Sequence, residues 1–283
     1  MKNEISIIIP IYIFNQDDIF SYLNDLILSI KINVSNNDNY IIKEVIVVND
    51  NPTPADTNKL NTILNDIDIF FNLIYIRNNK SKGQGYSRNI GAKHAKGGYL
   101  HFIDQDDLIG SNFYRTFFIK DVEYDIMMAD CISLNDKTTS FYKIITKFFF
   151  NRATKIQQLK FFLFNNIANS PGQLIIKKDF FEKTNGFPEL QFRGSDDFAF
   201  FLNVIKVSNS FKFFNKSKFF YRIHSSQSSK TLDMKASALN AFVGYNYSKN
   251  DVMHWVKKIK LSSNYFAKIL RIFLYRMLFN SFK

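Results

Sequence analysis

The sequence predicts an α/β fold: a doubly wound sheet flanked by helices, followed by a C-terminal helical tail. Three observations carry this. Apolar runs of strand length alternate with helical patterns in the order strand, helix, strand, helix, strand. The first run is nearly continuous, as in strands buried on both faces of a parallel sheet. Two of the runs end in aspartates, and the carboxyl ends of strands are where open α/β sheets bind ligands.

The first run is Ile5-Ser6-Ile7-Ile8-Ile9-Pro10-Ile11-Tyr12. A polar stretch from Asn15 to Asp18 follows, and Ile19, Leu23, Leu26, Ile27 and Ile30 then recur at helical spacing. Glu44 to Val48 is the second strand, and it runs straight into Asn49-Asp50-Asn51-Pro52. A helix is predicted over Ala55 to Leu64 and a third strand over Leu73 to Ile76. Next comes a segment with Lys80, Lys82, Gly83 and Gly85 that leads into a helix. Exposed amides and basic side chains there suit an anion. An ordinary loop and helix start would read the same way. The segment is not a Walker loop, because no Gly-Lys-Ser/Thr follows at the required spacing, and it lacks the full dinucleotide fingerprint.

Gly97-Gly98-Tyr99-Leu100-His101-Phe102-Ile103 is an apolar strand that ends in Asp104-Gln105-Asp106-Asp107. Like charges this close repel, and a hard divalent cation is their usual reason to gather. The alternative is an acidic turn or helix start with no ligand.

These pieces, in this order, resemble the family 2 glycosyltransferases, nucleotide-sugar-dependent enzymes of the GT-A fold. The matching residues are Ile7 to Tyr12, Val47 to Asp50, Gly83 to Gly91 and Gly98 to Asp107. The resemblance implies a GT-A type doubly wound mixed sheet. It also implies donor-binding roles for Pro10, Tyr12, Asp50, Gly85, Arg88 and Asp104. Tyr12 would lie by the nucleobase, with Asp50 at its edge. Asp106 and Asp104 would form the D-x-D that meets Mn2+ or Mg2+. Asn49 departs from the family, where Asp is usual.

The second half matches more weakly. Ser170 to Ile176 reads as a turn entering a strand, and Lys177 to Lys183 as a helix ended at Gly186. Arg193-Gly194-Ser195-Asp196-Asp197 opens another helix. In the family an acidic pair here carries the catalytic base, which aligns the role with Asp197, or with Asp196 if the register shifts by one. Helix capping by Ser195 with acids in the first turn explains the same residues without catalysis. Tyr221-Arg222-Ile223-His224 resembles the segment that closes many of these domains, which makes His224 a candidate metal ligand or diphosphate contact. His94, His101 and His254 read as surface or structural residues, the usual place of a lone histidine.

Composition sets the remaining bounds. The single Cys131 excludes an intrachain disulfide framework and fits a reducing compartment. The first apolar run, residues 5–13, is short and followed by acids, so no signal peptide is expected, and no apolar run reaches the length needed to span a bilayer. The net charge is +12, from 37 Lys+Arg against 25 Asp+Glu. No acidic residue follows Asp251, while Lys257, Lys258, Lys260, Lys268, Arg271, Arg276 and Lys283 alternate with aromatic and aliphatic residues from Trp255 onward. That pattern suits an amphipathic segment on an anionic membrane surface, or a helix packed on the catalytic domain. No nucleic-acid-binding module is present, so no nucleic-acid partner is expected.

The expectation is therefore an inverting, metal-dependent glycosyltransferase using a nucleotide-sugar donor, a UDP-sugar by the resemblance. Its acceptor would be a glycan or lipid-linked saccharide, in bacterial surface polysaccharide synthesis. Residues 1–110 would form the donor half, 111–230 the acceptor and catalytic half, and 231–283 the basic tail, with the protein cytoplasmic and peripheral on the membrane. Two rivals are a sugar-phosphate nucleotidyltransferase and a non-catalytic nucleotide-sugar binder. The first wants a glycine-rich basic loop after the first strand, where Pro10 to Asn15 has neither glycine nor lysine.

Overall fold

Nine stretches of the chain are described by the computed structural model: residues 3–13, 16–34, 39–52, 57–119, 122–134, 150–152, 168–188, 196–208 and 210–224. The chain divides into two units. One comprises residues 1–137, 169–186 and 208–223, the other residues 138–168, 187–207 and 224–283.

The first unit holds the whole sheet. Its elements are β1 (Asn3–Ile11), α1 (Gln16–Lys31), β2 (Tyr40–Asn49), α2 (Thr57–Phe70), β3 (Leu73–Arg77), α3 (Gln84–His94), β4 (Tyr99–Phe102), β5 (Leu108–Ile109), α4 (Phe113–Phe117), β6 (Ile126–Ser133), β7 (Leu174–Lys177), α5 (Lys178–Lys183) and β8 (Phe211–Tyr221). The strand order is β3-β2-β1-β4-β7-β6-β8-β5. β1 pairs in parallel with β2 and β4, and β2 with β3, whereas β7 runs antiparallel to both β4 and β6. The sheet is therefore mixed, with its parallel half built from the first four strands.

Burial explains why these runs became strands. Ile5, Ile7, Ile8 and Ile9 are all fully buried. Ile5, Ile7 and Ile9 join a core with Leu23, Leu26, Ile27 and Ile30 of α1 and Ile63 and Ile67 of α2. Each such side chain contributes about 1.5–3 kcal/mol relative to exposure. Ile8 belongs to the opposite face, where α3 packs so closely that a Cβ on Gly91 would lie 2.4 Å from Ile8 Cγ2.

Two expected boundaries move. The second helix continues past Leu64 to Phe70, because Ile67 adds another buried turn while Ile69 and Phe70 face outward. The second strand begins at Tyr40 rather than Glu44. Glu44 is a fully buried carboxylate inside that strand. It is tolerated because its Oε1 accepts from the Ser6 hydroxyl and from the Lys96 and Gly97 backbone N–H groups.

In the second unit, α6 (Asp196–Val207) buries Phe200, Phe201 and Val204. The Phe187 and Phe200 rings stack with centroids 3.9 Å apart. Among the described residues no helix is long and apolar enough to cross a membrane. The basic tail, residues 231–283, lies outside the described residues, as do Ser195 and His254.

Candidate active site

The expected donor residues gather where β1, β2 and β4 end and α3 begins. β2 ends at Asn49, and Asp50 follows it, almost fully buried. Its Oδ1 accepts from Asn78 Nδ2 at 2.7 Å and from the Lys82 N–H at 2.9 Å. Its Oδ2 accepts from the Ser81 hydroxyl at 2.9 Å and the Gly83 N–H at 2.8 Å. Four donors match the roughly four acceptor positions of a carboxylate. Asp50 thus fixes the loop from Asn78 to Gly83. Gly83 turns the chain into α3 at φ 93°, a conformation that favours glycine. Gly85 is buried in the first turn of α3. Lys82 Nζ sits 4.1 Å above the Tyr86 ring.

The acidic turn follows β4. The Ile103 N–H donates to the Ile8 carbonyl at 3.0 Å, continuing the β1 pairing, and the Asp107 N–H closes the turn on the Asp104 carbonyl at 3.2 Å. Asp104 forms an ion pair with Arg88, Nη2 to Oδ1 at 2.6 Å. Arg88 is almost fully buried, so α3 brings a desolvated guanidinium to the turn from below. The Ser170 hydroxyl lies 3.4 Å from the other Asp104 oxygen.

Asp107 is fully buried, and its carboxyl is pushed well above the usual carboxylate range. Burial is the main cause, followed by the charges of Asp106 and Asp104; the Arg222 N–H and the Ser170 hydroxyl act in the opposite direction. The turn therefore brings three aspartates together, and the most deeply buried of them is driven toward its neutral form.

Arg222 clamps the same turn. Its backbone N–H donates to Asp107 Oδ1 at 3.0 Å, its Nε to the Asp106 carbonyl at 2.9 Å, and its Nη2 to Asp25 Oδ2 at 2.9 Å. Its guanidinium carbon lies 4.3 Å from the centre of the Tyr22 ring. The sequence marked Arg222 only as part of a motif. Its partners lie far away in the chain, so no local signal announces the clamp.

Beneath the turn, His101 of β4 is fully buried. Its Nδ1 accepts from the Tyr114 hydroxyl at 2.8 Å, and its Nε2–H donates to the Gly172 carbonyl at 2.9 Å. The tautomer follows from these partners, because a carbonyl can only accept. Burial lowers its pKa from 6.5 to about 4. The ring braces the turn that carries Ser170.

Pro10 lies within β1, and Tyr12 follows the strand, half-buried. The Tyr12 backbone is held by Gln105, the middle residue of D-x-D, to which the sequence alone assigns no role. Asp196 and Asp197 occupy the first turn of α6 in the second unit, both half-buried. His224, also half-buried, falls in that unit. Among the described residues no group of three or more His, Cys, Asp or Glu residues is arranged to hold a metal ion.

The glycosyl transferase family 2 model matches residues 6–184. The chain belongs to glycosyl transferase family 2. Its relatives include the glycosyltransferase GlyA of Streptococcus pneumoniae serotype 4, 28% identical over 144 residues, which are 50% of this chain and 19% of that protein. Another is the poly(ribitol-phosphate) beta-glucosyltransferase of Bacillus spizizenii, 31% identical over 137 residues, 47% of this chain and 20% of that protein. The match thus spans about a fifth of each of these relatives. Residues 1–349 of S. aureus TarS in complex with UDP-GlcNAc have a similar fold, with a TM-score of 0.64 at 16% identity over 89% of this chain and 69% of that one. The TarS 1–349 complex with UDP gives a TM-score of 0.60 at 17% identity, over 89% and 68%. The family 2 fold here is the GT-A type that the motifs implied.

Proposed function

We propose that this family 2 glycosyltransferase moves a sugar from a UDP-sugar donor to a hydroxyl of a glycan or lipid-linked saccharide, with inversion at the anomeric carbon. The observation that carries this reading is the acidic turn. Asp104, Asp106 and Asp107 crowd at the end of β4 with Arg88 paired to Asp104, beside a loop whose conformation Asp50 fixes. Three aspartates at the carboxyl end of a parallel strand stand where open α/β sheets bind ligands. The TarS fragment's complexes with UDP-GlcNAc and UDP support a uridine donor. The Bacillus relative's action on poly(ribitol-phosphate) supports a role in surface polysaccharide synthesis.

The donor set fits Mn2+ or Mg2+, since hard cations take one or two carboxylates together with substrate phosphate. Asp106 would hold the ion, with Asp104 beside it and His224 as a further ligand. When bound, the cation neutralises charge on the diphosphate leaving group. Asp197 acts as general base, or Asp196 if the register is off by one. It takes the acceptor hydroxyl proton as that oxygen bonds to the anomeric carbon. The bond from that carbon to the donor phosphate breaks, and its electron pair leaves with the nucleoside diphosphate. Residues 231–283 bring the site to an anionic, cytoplasmic membrane face.

Incubation with labelled UDP-sugars, Mn2+ and saccharide acceptors should release UDP, and a bound donor should raise the melting temperature. Absence of any nucleotide-sugar effect on stability or turnover overturns the reading. Full turnover in excess chelator removes the metal from it. Flotation of the full chain with anionic but not neutral vesicles tests the tail.

A further inference from the structure

We infer that Gln105, the middle residue of Asp104-Gln105-Asp106, is the positioning residue for the nucleobase end of the donor site. This rests on the donor reading above and deepens it.

The backbone leaves β1 at Ile11, so Tyr12 lies beyond the strand. Its N–H and C=O still need partners in a half-buried place. Gln105 supplies both. The Tyr12 N–H donates to Gln105 Oε1 at 2.9 Å, and Gln105 Nε2 donates to the Tyr12 carbonyl at 2.9 Å. The amide presents a donor and an acceptor side by side, and the two bonds together fix its orientation. Gln105 is 8% exposed. The neighbouring backbone is held from the other side: the Asp50 N–H donates to the Ile11 carbonyl at 2.9 Å, and the Ile13 N–H to Asn51 Oδ1 at 3.0 Å. Residues 11–13 therefore have their course set by the loops after β2 and β4.

Gln105 also belongs to the turn that carries Asp104 and Asp106. One short segment thus serves two purposes. The aspartates face the diphosphate, while the amide between them sets the loop that meets the base. Loss of the amide should loosen base recognition and leave the diphosphate end intact.

Gln105→Met keeps length and bulk without hydrogen bonds, and Gln105→Ala removes both. Calorimetric titration of each full-length variant with UDP and with inorganic pyrophosphate, both with Mn2+, separates the two ends. Both variants should bind UDP about tenfold more weakly, the loss of one or two net hydrogen bonds, with pyrophosphate affinity unchanged. Wild-type UDP affinity in Gln105→Met means bulk and not the amide matters, and overturns the inference. Equal losses for UDP and pyrophosphate also overturn it, because Gln105 would then act on the acidic turn. A wild-type chain that binds no UDP removes the donor reading and this inference with it.

Discussion

Asp50 and Asp104 both stand just beyond the carboxyl end of a parallel strand, β2 and β4 respectively, and both are largely enclosed. Their surroundings differ. Asp50 meets four donors, two of them backbone N–H groups, and every position on its carboxylate is used within the loop it organises. Asp104 has the Arg88 ion pair, but Asp106 and Asp107 follow within the same turn, and Asp107 is driven toward its neutral form. The first site is balanced internally. The second gathers three aspartates into one turn, with Arg88 paired to the first of them. The compensated carboxylate shapes its loop, and the crowded ones are those to which the proposed function gives the donor and its metal.

The comparison is broken most directly at the crowded end. Asp106→Ala should lower transfer by about a thousandfold or more, the scale of a lost charge-stabilising group. Its melting temperature should hold, since the proposed role of this carboxylate is toward the donor and not the fold. An unfolded Asp106→Ala would mean that this charge is structural. Asp197→Asn should lower turnover by about 10²–10⁴-fold with donor affinity kept, as for loss of a general base. If only Asp196→Asn shows this, the register of the acidic pair moves by one.

Acid stability tests the neutral ground under the turn. His101 has a folded pKa of about 4 against 6.5 unperturbed. The unfolded chain therefore binds more protons between these values, and stability falls as pH drops from 6.5 toward 4. Above pH 6.5 the contribution is fully present. The change is about 3 kcal/mol over that window. Chemical denaturation across pH should show it, and His101→Gln should flatten it.

The balanced end should show the smallest effect. Asp50→Asn exchanges a four-acceptor group for one with two donors facing other donors. We expect about 2 kcal/mol of lost stability and weaker donor binding, from broken hydrogen bonds in the loop. Denaturant titration measures the first, and calorimetry with UDP the second. Unchanged stability would show that the loop holds itself.

The parallel half was legible because its strands are apolar runs, with Asp50 and Asp104 following the ends of β2 and β4. Residues with strong physical preferences leave strong patterns. β6 and β8 were not recognised. β8 mixes Lys212, Lys216 and Lys218 with phenylalanines, and its inward residues are spaced irregularly, with a register shift against β6 between Ala129 and Asp130. The acidic turn was visible as chemistry, and its placement after β4 followed. The partners were not. Arg88 and Asp104 are sixteen residues apart, and Gln105 and Tyr12 ninety-three. Residue types can suggest a carboxylate's duty, whereas the donors that meet it depend on how distant segments return.

Arg222 shows how far such a return extends. It reaches the Asp106 carbonyl across 116 residues of chain. A nascent polypeptide that has emerged through Asp107 carries every donor motif, yet lacks the guanidinium that secures the acidic turn. The last strand of the sheet must be synthesised and docked before that turn acquires its final form. Contacts of such long sequence separation form late and slowly, so the growing chain acquires its donor motifs well before it can assemble a working site from them.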